Sequence, residues 1–126
     1  RQAAAGCLIK LGQVCTDLGE HAEARQHLKQ ALSITAELQD QTQMLGAAAT
    51  LALLLAAEGD GEKALELAIL VERHPAEVPA AQERARRLAA ELAHQIPDEA
   101  WRLMLRRSKG KTLEDRLAES VLSLES

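Results

Sequence analysis

The sequence predicts an all-α protein, and three observations carry that expectation. The chain of 126 residues has no Phe or Tyr and one Trp, and Ala and Leu dominate it. Such a composition favours helix, because Ala and Leu have high helix propensity while aromatic and β-branched strand formers are scarce. Only three Pro and seven Gly interrupt the chain. Third, Leu11, Gly19 and Ala24 recur as Leu51, Gly59 and Ala64, each at an offset of 40 residues. Gly12 becomes Ala52, so a small residue is kept there.

The elements follow in order. A first helix is expected over about 3–18, closed by Gly19, which takes a left-handed conformation without a Cβ penalty. A second follows over about 21–38, a third over about 41–58 and a fourth over about 61–73. The third contains AAATLALLLAA, residues 47–57, which is apolar all round. Such a helix must be covered on several sides, which implies a central position. The stretch HPAEVP, residues 74–79, then breaks the chain with two Pro. A further helix pair is expected over about 79–95 and 97–107, with Pro97 in a first turn and Asp98 and Glu99 suited to the helix dipole. Gly110 ends that segment. Thr112 with Asp115 reads as a capping-box-like start to a seventh helix, whose Leu113, Leu117, Val121 and Leu124 form one stripe. The organisation is therefore 1–75 as two helix pairs and 76–126 as a degenerate third pair plus a capping helix.

The repeat resembles the tetratricopeptide repeat (TPR), whose signature is W-x2-L-G-x2-Y, A-x3-F and P. The first copy places Leu8, Leu11, Gly12, Cys15, Ala24, Leu28 and Ala36 at these positions. The second places Ala48, Leu51, Ala52, Leu55, Ala64, Ala68 and Ala76, with Pro75 one place early. Aliphatic residues and Cys replace the family's aromatics, and the period is about 40 rather than 34. The resemblance covers residues 5 to about 75. It implies an antiparallel helix-pair solenoid in which Gly12 faces Ala24, and Leu8, Leu11, Cys15 and Leu28 fill the seam. The tail from Ile96, IPDEAWRLMLRRSKGKTLEDRLAESVLSL, resembles the end of the helical-repeat regions of bacterial signal-transducing (STAND, MalT-like or LuxR-type) ATPase regulators. No nucleotide-binding site or DNA-reading helix of those proteins is visible in the chain.

Net charge is −4. That argues against general affinity for nucleic acid or anionic membranes. Nine of the 15 basic residues lie after residue 80, giving +1 there against −5 before it, but no aromatic residues interleave with them for base stacking. The longest apolar run, Leu51 to Ala57, is too short to span a bilayer. The chain starts at Arg1 without a signal-peptide pattern, so the expectation is a piece of a longer cytoplasmic protein. Cys7 and Cys15 lie eight residues apart on one helix, about 12 Å, beyond disulfide reach. They are expected to be buried thiols in a reducing compartment.

No catalytic set emerges. The G-K-T of SKGKT, residues 108–112, lacks the P-loop's first glycine, since position 105 is Leu, and it follows a helix rather than a strand. His21, His27, His74 and His94 have no partners at zinc spacing and are expected to be solvated. Acid pairs such as Asp98 and Glu99 serve helix ends. Trp101 is expected to anchor the third unit's core, with an interface hot spot as the alternative. The expectation is a chain that is not an enzyme and holds no cofactor or metal.

What remains is binding. The TPR resemblance implies a concave surface lined from the first repeat by Gly6, Ile9, Gln13, Thr16 and Asp17, and from the second by Ala49, Leu53, Ala56 and Ala57. Such a face suits an amphipathic helix or peptide. Alternatively, the third unit covers its apolar half. The functional expectation is a non-catalytic protein- or peptide-interaction or sensor module of a larger cytoplasmic bacterial regulator. The alternative is a structural, self-associating segment, with a weak homodimer through the N-terminal end.

Overall fold

A computed structural model describes residues 2–108 together with Thr112, Leu113, Asp115 and Leu117. These residues form six helices: α1 (Gln2–Asp17), α2 (His21–Leu38), α3 (Gln41–Ala57), α4 (Gly61–Arg73), α5 (Pro79–Ala93) and α6 (Asp98–Ser108). No strand occurs among the described residues. Of the expected seventh helix, Val121 and Leu124 lie outside the described residues, as do Gly110 and Lys111.

The chain reverses three times by the same device. Gly19 (φ 81°) and Gly59 (φ 91°) are left-handed, and so is Gln39 (φ 52°). In each turn the left-handed residue donates three residues back: Gly19 to Thr16, Gln39 to Ala36 and Gly59 to Ala56. The next residue donates five back, Glu20 to Cys15, Asp40 to Thr35 and Asp60 to Leu55. This double bond satisfies carbonyls that the helix end leaves without partners. Each turn then hands over to an acidic residue. Asp40 accepts from the Gln43 N–H at 3.2 Å and Asp60 from the Lys63 N–H at 3.3 Å. Glu20 makes no such bond, its side chain being one methylene longer. Gln39 is the costly member of the series, because its Cβ crowds the carbonyl in the left-handed region. Gln39→Gly is therefore expected to raise stability by about 0.5–1 kcal/mol in a denaturant melt.

The remaining connection is built differently. Helix α4 stops at His74, whose Nδ1 accepts from the Ala76 N–H at 3.1 Å. Pro79 opens α5, where the missing N–H costs nothing. Between them the Gln82 side chain holds the segment together. Its Nε2 lies 3.1–3.4 Å from the carbonyl oxygens of Val71, His74 and Ala76, and its Oε1 accepts from the Val78 N–H at 3.3 Å. Nothing in the residue pattern marks this glutamine as the organiser of the break. Helix α6 starts one residue later than expected, with Pro97 supplying the carbonyl that accepts from Trp101 N–H. Further on, Thr112 and Asp115 bond each other's backbone N–H reciprocally, each at 3.2 Å, as the capping box requires.

Short reversals make α1 and α2, and α3 and α4, antiparallel neighbours. Helix α3 packs against α1, α2, α4 and α5. Eight of its residues are buried, and Leu45, Leu51 and Leu54 are among the largest fully buried side chains. The all-round apolar sequence of α3 thus matches its central place. Helix α6 packs on α4, burying Met104, rather than forming a close pair with α5. Trp101 is half-buried against the same core. Leu113 and Leu117 are also in the core.

The α1–α2 seam departs from expectation at one residue, Leu11. A Cβ added at Gly12 would lie 3.0 Å from Leu28 Cδ2 and Cγ, so the side chain that Gly12 receives is Leu28. Leu28 is the knob that fills the notch. Leu11, expected in the seam, is 46% exposed, whereas its counterpart Leu51 is 1% exposed. The difference is one of position. Helix α3 has helices on both sides, while α1 packs closely only against α2 and α3. Leu8 is half-buried, and Cys15, Ala24, Ala52, Ala64 and Ala68 are buried as the repeat positions imply. Leu55 is half-buried against the core.

Candidate functional site

Helices α1 and α3 run side by side in the same direction. The Cβ position of Gly6 faces the Gln43 side chain at 3.5 Å, and that of Gly46 meets Ile9 Cδ1 at 4.0 Å. One turn on, Gln13 Nε2 donates to Thr50 Oγ1 at 3.3 Å. All three contacts join residues 37 apart, so the two helices keep one register along their length. That register is three residues short of the 40-residue sequence offset. Each helix is therefore shifted by most of a turn against its neighbour.

This close approach sorts the expected surface residues. Ile9 (6% exposed) and Ala49 (2% exposed) belong to the core, a correction that follows from how closely α1 and α3 pack. Gly6, Gln13 and Thr16 are half-buried and Asp17 is exposed. From α3, Leu53 and Ala56 are half-buried and Ala57 is exposed. Gln13 is tied to Thr50, whose hydroxyl in turn donates to Gly46 O at 3.0 Å. The Thr16 hydroxyl donates to Gly12 O at 2.7 Å, which spends its proton within α1 and leaves its oxygen only as an acceptor. The same 37-residue offset, carried on to the end of α1, pairs Asp17 with Leu54. The accessible part of this face is therefore Gln13 and Asp17 from α1 with Leu53, Ala56 and Ala57 from α3, carboxylate on one side and aliphatic on the other.

The corner between α1 and α2 holds a cluster that sequence spacing did not suggest. Ligand atoms of Cys15, Glu20 and Glu23 lie within 4.8 Å of one another. The Cys15 thiol points at Glu23 Oε2, 4.0 Å away. Burial pushes the Cys15 thiol up from its ordinary value, and the charges of Glu23 and Glu20 add to that. A raised thiol is protonated at neutral pH and is a poor nucleophile. Cys7, expected to be buried, is exposed, because α1 is uncovered on that side. Iodoacetamide at pH 8 is therefore expected to label Cys7 in the folded protein and Cys15 only after denaturation, as read by mass spectrometry. The linkage sign follows: with the folded pKa raised, the contribution of Cys15 is complete below the ordinary thiol pKa and is lost as pH climbs through the folded value.

Elsewhere several charges form pairs near the surface. Arg25 bridges α2 to Glu58 at the end of α3, and Glu83 pairs with Arg86 and Arg87 along α5. Arg86 chiefly holds the Glu83 carboxyl below the usual range. Pairs so open to water are screened and add little to stability. His21, His27 and His74 are half-buried and His94 is exposed. No helix among the described residues is long and apolar enough to cross a membrane.

No family model, curated protein or solved structure matches this chain. Among the described residues the geometry is all-helical, with neighbouring helices packed on one another, and is compatible with a helical-repeat fold.

Proposed function

We propose that the chain is a non-catalytic protein- or peptide-interaction module built as a TPR-like solenoid. The observation that carries this reading is the parallel, in-register pairing of α1 with α3. On this reading the accessible residues of the two helices form one strip, with Asp17 at one margin and Leu53, Ala56 and Ala57 along the other. An amphipathic helix or extended peptide with a basic edge and an apolar edge has the matching chemistry. The likeness of the tail from Ile96 to bacterial signal-transducing ATPase regulators supports a place in a larger cytoplasmic regulator, where such a module would sense or dock a partner. The finer organisation, 1–75 as two units and 76–126 as a third with a C-terminal cap, is part of this proposal. So is the absence of a cofactor.

A peptide-library titration tests it. Binding is expected to weaken at least tenfold in Asp17→Lys and Leu53→Glu, with helix content kept. Hits indifferent to both substitutions, or none at all, would remove the reading.

A second reading, self-association, is favoured by a separate observation. Leu11, Val14 and Leu18 are large apolar side chains left exposed on α1.

A further inference from the structure

The exposed apolar residues of α1 are not scattered. Ala4, Cys7, Leu11, Val14 and Leu18 are all exposed, the last three at 46, 52 and 69%. Their spacing alternates three and four residues, which is the a/d pattern of a coiled-coil seam. Leu18 still belongs to it, because its N–H donates to Val14 O at 3.0 Å and continues the helix. The stripe points away from Ala5, Ile9 and Gly12, which face the core. Forty residues on, the corresponding Ala47, Leu51 and Leu54 are buried where α3 packs among its neighbours. The stripe therefore has the chemistry of a helix–helix seam, yet no described element covers it.

We propose that α1 of a second copy of this chain covers it, running antiparallel across a two-fold axis. This rests on the self-association reading above and adds an orientation and a register to it. The charges beside the stripe select both. Lys10 and Asp17 are exposed, make no ion pair among the described residues, and both flank the seam at the g position. The e positions on the other flank, Leu8 and Cys15, are half-buried and buried. A parallel pair brings g against e, so it would set both charges against those apolar residues and gain nothing. An antiparallel pair brings g against g.

Two antiparallel registers fill four layers of the seam. One sets Leu11 opposite Cys7 and Ala4 opposite Val14. It leaves out Leu18, the most exposed residue, and places Lys10 against Lys10 of the second copy. The other sets Leu11 opposite Val14 and Cys7 opposite Leu18. It uses Leu18 and places Lys10 against Asp17 of the second copy, twice by symmetry. Like charges oppose the first register and opposite charges favour the second. A two-fold contact of this kind closes as a dimer and does not propagate into a fibre. In this register the seam runs from Cys7 to Leu18, about 17 Å, and contains no aromatic anchor, so the dimer is weak.

Sedimentation velocity over a wide concentration range, on wild type and charge variants, tests this. Lys10→Glu and Asp17→Lys are each expected to weaken the dimer about tenfold, since each turns two attractive contacts into repulsive ones. The double variant is expected to return to near wild-type affinity. Circular dichroism confirms that these exposed substitutions leave the helices intact. Mild oxidation with copper–phenanthroline supplies a second readout. Leu18→Cys is expected to give a covalent dimer joining Cys7 of one copy to the introduced thiol of the other, while wild type gives none. A Cys7–Cys7 bridge in wild type, or a dimer that Leu11→Asp breaks while the double charge variant stays as weak as the single ones, would overturn the register and leave self-association standing. A wild-type chain monomeric up to about 1 mM would overturn both.

Discussion

Leu28→Ala is expected to destabilise the fold by about 2–5 kcal/mol in a urea or guanidinium melt. Leu28 is fully buried and is the side chain that occupies the notch at Gly12. Glycine leaves no side chain on α1 to move into the space. The neighbouring Ala24 and Ala31 are fully buried and too small to fill it. The cavity therefore persists, and cavity volume adds to the lost transfer free energy. A loss below about 1 kcal/mol would mean that the α1–α2 seam is not packed this way.

The complementary substitutions act by excess rather than loss. Ala24→Leu and Ala64→Leu are each expected to cost about 1–3 kcal/mol. Both alanines are fully buried at equivalent places in the two helix pairs, one on α2 and one on α4. Three added carbons at either place must displace core side chains or push the paired helices apart. Similar costs at both positions are expected from the 40-residue equivalence. A neutral melt at either would show that the two pairs are not copies of one arrangement.

The helices were legible in the sequence because their ends carry unambiguous residues. Gly19, Gly59, Pro75 and Pro79 each do what their covalent structure compels, and all six described helices fall within about two residues of expectation. Gln39 was not legible as a left-handed turn, since glutamine has no preference for that region, and only the register of α2 against α3 puts it there. Gln82 was silent for a related reason: its three carbonyl partners come together only after α4 and α5 have docked. The errors at Leu11 and Cys7 have one cause. Periodicity identifies which face of a helix is apolar, but not whether a neighbour exists to cover a second face. Leu51 and Leu11 occupy the same repeat position and differ in exposure because α3 is central and α1 is not.

The candidate face was legible only in outline. The spacing that brings Ile9, Gln13, Thr16 and Asp17 towards one side of α1 is a helical property and holds. How deep each residue sits depends on how closely α3 approaches, and single-helix periodicity does not report that distance. Ile9 was therefore taken into the core, while Gln13 and Asp17 stayed within reach of solvent. The Cys15, Glu20 and Glu23 corner needed the Gly19 reversal before its three side chains could meet.

The most direct test of the interaction-module reading is the amide spectrum of isotope-labelled protein titrated with an amphipathic helical peptide carrying one basic edge. Saturable shifts are predicted at Gln13, Asp17, Leu53, Ala56 and Ala57, with the outward faces of α2 and α4 unchanged. Saturable shifts confined to α2 and α4, or no saturable shifts with any peptide of this class, would contradict it.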